Sequence, residues 1–189
     1  MPLELIHTDV CGPMQTTTIS GNRYFLTFID DYSQICWVYF IRFKSEVFTI
    51  FKKFKAMVEL QSGYQIKRLR NDRGGEYTSL EFKAFCEDVG LEKQLTVAYS
   101  PQRNGIAERK NMTIVEMAKS MMHEKNMPYT FWGEAVNTSV YLSNKCPTKA
   151  LDKKAPFEVF SGRKPSVKHL RVFGSVCYTL IPHQLRHKL

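Results

Sequence analysis

No stretch of this 189-residue chain approaches the run of about 20 apolar residues that a membrane-spanning helix needs. The opening, MPLELIHTDV, has no basic segment followed by an apolar run, so neither a signal peptide nor a membrane partner is expected. Cysteine is sparse. Cys11, Cys36, Cys86, Cys146 and Cys177 are odd in number, widely spaced and form no CxxC pair. That pattern speaks against a structural zinc site and for free thiols in a reducing, intracellular compartment. Net charge is missing from the first hundred residues, where twelve Lys/Arg balance twelve Asp/Glu. Residues 101–189 hold fifteen against six and so carry the whole +9 of the chain. A one-sided positive excess suits a phosphate backbone through steering and counterion release, although a solvated basic surface would look the same.

What is present suits a folded α/β protein. Residues 3–10 alternate apolar and polar before stopping at Gly12-Pro13, as a strand does before a turn. Two aromatic and β-branched runs, 24–29 and 36–41, follow Gly21-Asn22 with DDYSQ between them, predicting an antiparallel meander of three strands. The period then changes. Val47, Ile50, Phe51, Phe54, Met57, Val58 and Leu60 fall at spacings of three and four before Gly63, which predicts an amphipathic helix. A strand over 66–70 ends at Asn71-Asp72, and Thr78 to Glu81 matches a capping box opening a second helix that stops at Gly90. A strand over 91–97, a long helix over 105–125 with Ile106, Ile114, Met117, Ala118 and Met121 inward, and a helix over 131–144 complete the core. The order predicts a mixed α/β layer architecture over 1–145. Residues 146–189 form a shorter, proline-punctuated C-terminal extension in which 170–181 (LRVFGSVCYTLI) reads as one or two further strands.

Carboxylates at strand ends carry the chemistry. Asp9 ends the first predicted strand, Asp72 lies just past the fourth, and Glu108 stands in the first turns of the long helix. Adjacent strand ends in an α/β sheet bring such residues together. Three bare carboxylates there would raise one another's pKa, and divalent cations remove the repulsion. Mg²⁺ takes oxygen ligands and keeps positions for water or substrate, and a pair of ions serves an in-line phosphoryl displacement. With eighteen Asp/Glu in the chain, position alone does not single this trio out.

The flanking residues do. HTDVCGP around Asp9, FIDDYS at 28–33, RNDRGGEY around Asp72, YSPQRNGIAERKN around Glu108, FWGEAV at 131–136 and PFEVFSGRKPSVKHLRVFGSVCY at 156–178 occur in this order. Together they resemble the integrase core of copia-type long-terminal-repeat retrotransposons over nearly the whole chain. Thirty-five residues separate Asp72 from Glu108, matching the Asp–Asp–35–Glu pattern of that group.

The resemblance implies a ribonuclease H-like fold, a five-stranded mixed sheet flanked by helices. It implies that Asp9, Asp72 and Glu108 are catalytic and hold two Mg²⁺ or Mn²⁺ ions. The implied activity is a metal-dependent polynucleotidyl transferase that joins element DNA ends to target DNA, as a homo-oligomer on DNA. Action in the nucleus, after a cytoplasmic particle stage, follows from the same likeness. So does a longer polyprotein, with a zinc-binding module before the core and a reverse transcriptase after it. The alternatives are a nuclease of the same fold and an inactive or host-recruited nucleic-acid-binding relic.

Secondary residues fill in the picture. Gln102, Arg103 and Asn104, in the loop before Glu108, are expected DNA contacts, as are Arg109 and Lys110, which helix geometry sends to different faces. Met112 stands one turn after Glu108, where copia-like sequences usually have a basic residue. Gly74-Gly75 reads as a tight turn or a close approach of backbone to DNA. Glu76 is expected to face solvent, Asp30 and Asp31 to be hydrogen-bonded or exposed in their turn, and His7 to play no part as a base.

Overall fold

The computed structural model describes residues 1–72, 74–95, 105–178 and 180. Five strands, β1 (Leu5–Cys11), β2 (Tyr24–Asp30), β3 (Cys36–Ile41), β4 (Arg68–Asn71) and β5 (Glu92–Leu95), form one sheet in the order β3-β2-β1-β4-β5. The meander β1-β2-β3 is antiparallel, and β4 and β5 join it parallel to β1. The helices are α1 (Val47–Ser62), α2 (Leu80–Asp88), α3 (Gly105–Glu124), α4 (Trp132–Lys145) and α5 (Pro156–Ser161). Five strands in a mixed sheet, with helices on both faces, is the architecture the resemblance implies.

Strand alternation divides the side chains between two cores. On one face Ile6, Leu26, Phe28 and Leu69 meet Phe51, Phe54 and Val58 of α1 and Phe82 of α2. Phe28 stacks on Phe54 at 4.1 Å between ring centroids, and Phe51 on Phe82 at 5.2 Å. On the other face Phe25, Ile29 and Cys36 meet Ile114, Ala118 and Met122 of α3 and Trp132, Val136 and Val140 of α4.

Helix ends follow their local chemistry. Gly63 takes the left-handed conformation at φ 72° and its N–H bonds the Glu59 carbonyl at 2.9 Å, closing α1 where the sequence places a cap. α2 opens one residue later than the capping-box reading. Its N-cap is Ser79, whose Oγ accepts from the Phe82 N–H at 3.2 Å, so Glu81 is not at the box position. The buried stripe of α3 is Ala107, Asn111, Ile114, Ala118 and Met122. Met121 is only half-buried and a polar residue, Asn111, stands in the stripe.

The segment after α4 packs through a few aromatic contacts. Phe160 meets Trp37 at 5.4 Å, Phe173 reaches the second core, and the Tyr141 hydroxyl lies 2.6 Å from His169 Nε2. The strands expected at 170–181 are not found among its described residues. Val172, Val176, Tyr178 and Leu180 alternate but are exposed. Alternation alone does not make a sheet, and no strand pairs with the described residues of this segment. All five cysteines are free, and no helix among the described residues is long and apolar enough to cross a membrane.

Candidate active site

The parallel pairing of β1 with β4 sets His7 opposite Arg70. Two residues further on come Asp9, on β1, and Asp72, just past the end of β4. This is why residues 63 positions apart in sequence become neighbours. α3 begins above this end of the sheet and carries Glu108, exposed, in its first turn. The three carboxylates therefore share one field. Burial pushes the Asp9 carboxyl up to about 6, with Asp72 adding to the rise, hydrogen bonds from Asn111 and the Val10 backbone opposing it, and Glu108 adding a smaller rise.

Each carboxylate also has its own surroundings. Asp9 Oδ2 accepts from Asn111 Nδ2 at 2.8 Å, and Asp72 Oδ1 accepts from the Gly74 N–H at 3.0 Å. Among the described residues no three His, Cys, Asp or Glu side chains are gathered closely enough to hold one ion. The trio converges electrostatically without forming a closed cage. Its chemistry nevertheless fits a divalent cation. All donors are hard carboxylate oxygens, and their mutual repulsion is what such a cation relieves.

Asn111 is the residue that sequence reasoning missed. Its side chain is 4% exposed, and it accepts from Thr27 Oγ1 at 2.9 Å while donating to Asp9. Thr27 lies opposite Asp9 on β2. The amide thus links β2, α3 and the Asp9 carboxylate, one helical turn after Glu108. The available signal was an amide inside an apolar stripe, since a buried polar group demands partners.

Glu76 does not face solvent. Its side chain is 6% exposed and pairs with Lys44 at 3.1 Å. The reason lies in Gly74, whose φ of −55° any residue can adopt. A Cβ there would stand 2.7 Å from Glu76 Oε2 and 3.0 Å from Asp72 Oδ1, so the glycine makes room for the Glu76 carboxylate. Nothing lies within 4 Å of a Cβ on Gly75.

The remaining residues separate cleanly. His7 is fully buried with Nε2 2.7 Å from Asp31 Oδ1, and burial holds it below its ordinary range against the pull of Asp31. Asp30 is buried and accepts from the Leu3 N–H at 2.8 Å and the Ser33 N–H at 2.9 Å, a turn role away from Asp9. Arg109 is exposed and its guanidinium lies back beside Gly105 at the helix start. Lys110 is half-buried, and its charge eases a Cys36 thiol that burial pushes up to about 12. Met112 is exposed at 63%, so no core contact explains it. Gln102, Arg103 and Asn104 lie outside the described residues.

Comparison with known proteins bears on the family and the fold. The integrase core domain model matches residues 1–101. The chain is 46% identical over 187 residues to the retrovirus-related Pol polyprotein from transposon TNT 1-94 of Nicotiana tabacum, covering 99% of this chain and 14% of that protein. It is 34% identical over 188 residues to the Pol polyprotein from transposon RE2 of Arabidopsis thaliana, covering 100% of this chain and 13% of that protein. The chain therefore spans about one-seventh of the length of these relatives. Among solved structures it is similar to the HTLV-2 integrase catalytic core domain in complex with magnesium (trimeric form), with TM-score 0.61, 16% identity, 85% of this chain and 97% of that one. It is also similar to a chain of the simian T-cell lymphotropic virus intasome in complex with PP2A regulatory subunit B56 gamma, with TM-score 0.67, 15% identity, 96% of this chain and 61% of that one. The fold is ribonuclease H-like, and the chain belongs to the integrase core domain family.

Proposed function

We propose that this chain is the catalytic core of a copia-type retrotransposon integrase, a metal-dependent polynucleotidyl transferase that joins element DNA ends to target DNA. The observation that carries the reading is the electrostatic coupling of Asp9 to Asp72 and Glu108, with the Asp9 carboxyl pushed up to about 6 by burial first and by its two acidic neighbours besides. In this reading the three carboxylates hold two Mg²⁺ or Mn²⁺ ions. Divalent ions bound there supply the Lewis acidity that activates an attacking oxygen and stabilises a leaving one. Asn111 holds the Asp9 carboxylate through its Oδ2. Arg109 and Lys110, which follow Glu108 on α3, are read as DNA contacts, and so are Gln102, Arg103 and Asn104 from their place in the sequence. Assembly as an oligomer on DNA, and action in the nucleus, belong to the same proposal. The HTLV-2 core with magnesium supports the choice of cation by analogy.

The test is a strand-transfer assay with a labelled DNA end, in Mg²⁺ and in Mn²⁺, on the unaltered chain and on Asp72→Asn. Joined product from the first and none from the second supports the reading. Cleaved but never joined DNA marks a nuclease. If metal neither raises the melting temperature of the unaltered chain nor distinguishes it from Asp72→Asn, the metal site itself is refuted.

A further inference from the structure

The candidate site has a fourth acidic neighbour that the reaction scheme does not use. Glu76 Oε2 and Asp72 Oδ1 flank the same point beside Gly74, 2.7 and 3.0 Å from where its Cβ would be. The Glu76 side chain is only 6% exposed. A buried carboxylate beside a second one is costly unless a cation partners it. The partner comes from a distant part of the chain. Lys44, in the turn between β3 and α1, places Nζ 3.1 Å from Glu76 Oε1 and is itself 48% exposed. The hydrogen bond to Glu76 holds the Lys44 ammonium above its ordinary range against some burial, and the field of Asp72 adds to the rise. Lys44 therefore senses both carboxylates.

We infer, resting on the metal-site reading above, that Lys44 is a positioning residue that binds Glu76 and so keeps this fourth carboxylate out of the divalent-cation site around Asp72. The pair sets the charge of the site as well as its shape. Without Lys44, an uncompensated Glu76 carboxylate lies next to Asp72 and draws cations more strongly. Without the Glu76 charge, the Lys44 ammonium faces Asp72 alone and repels them. Removing both charges returns the balance to where it began. A pair that served only as a strut between the β3–α1 turn and the loop after Asp72 would behave differently. Either substitution would then weaken the site, and the double one at least as much.

The experiment is Mn²⁺ titration by calorimetry on the whole chain, with folding checked by circular dichroism. Lys44→Met is expected to bind Mn²⁺ about three- to tenfold more tightly, and Glu76→Gln more weakly by a similar factor, as one nearby charge dictates. The double variant and Lys44→Arg should stay within about twofold of the unaltered chain, because each preserves the charge balance. Shifts of the same sign in the two single variants, or no shift in either, overturn the inference and leave the metal-site reading standing. No Mn²⁺ binding by the unaltered chain overturns both. If Lys44→Met does not fold, Lys44→Arg and Glu76→Gln decide alone. Unchanged binding in the first and weaker binding in the second supports the inference, and any other pair of results refutes it.

Discussion

The two faces of the sheet do different work. Beneath α1 and α2 the face is a continuous aromatic and aliphatic core, and its polar pair, Thr8 Oγ1 and the Tyr77 hydroxyl, is mutually satisfied at 2.9 Å. Beneath α3 and α4 the apolar surface covers β2 and β3, while the β1–β4 side presents His7, Asp9 and Asp72. One strand serves both. Ile6 and Val10 of β1 pack into the first core, while Asp9 between them points to the opposite side. The first face is stabilised by the apolar groups it buries, and the second spends some of that stability to hold carboxylates near one another.

The largest expected effect tests the stabilising face. Phe54→Ala removes a ring that stacks on Phe28 at 4.1 Å and meets Trp37 edge-on at 5.2 Å. A cost of about 3–5 kcal/mol is expected from urea unfolding. A loss below about 1 kcal/mol would show that this core collapses around the gap, and the contrast between faces would weaken.

Asp9→Asn tests the costly face, and its sign is opposite. The folded-state carboxyl titrates at about 6 against an ordinary 3.8, so the folded chain binds more protons than the unfolded one between those values. Stability from this group is therefore highest below the ordinary value and falls as pH rises through about 6. The full penalty above that range is on the order of 3 kcal/mol. In chelator-treated protein Asp9→Asn should thus be more stable than the unaltered chain at pH 7.5, with the gap closing by pH 4. A gap independent of pH, or a less stable variant at pH 7.5, would refute this account of Asp9.

Asn111→Ala lies between these extremes. It strips the Thr27 hydroxyl of its 2.9 Å acceptor, leaving only the Asp9 carbonyl at 3.5 Å, and Asp9 of a donor, so a loss of about 1–3 kcal/mol at neutral pH is expected. Chemical denaturation alongside Thr27→Val locates the effect. If the two losses add fully in the double variant, the hydrogen bond between them carries nothing.

How much of this was legible beforehand depends on the range of the interaction. Element order followed from periodicity, because the 3.6-residue stripe of α1 and its Gly63 cap are local. The candidate trio was singled out by its flanking motifs and its 35-residue gap. Asn111 and Glu76 were not. The polar contacts that define them, to Thr27 and Asp9 and to Lys44, lie 84, 102 and 32 residues away in sequence. The strands expected at 170–181 are not found among the described residues there, for a related reason. Alternation describes one strand, whereas a ladder needs two.

The smallest effect separates two adjacent glycines that one motif would treat alike. Gly74→Ala brings a methyl to 2.7 Å from Glu76 Oε2 and 3.0 Å from Asp72 Oδ1, so the Lys44–Glu76 pair must shift. The same change at Gly75 meets nothing within 4 Å. Neither has a positive φ, so backbone freedom is not what distinguishes them. Overpacking at Gly74 should cost about 1 kcal/mol and Gly75→Ala should be near neutral, by thermal unfolding of both variants in chelator. Equal effects at the two positions would mean that the turn, and not the carboxylate it accommodates, calls for glycine. The line between the stabilising face and the site would then have to be drawn without Glu76.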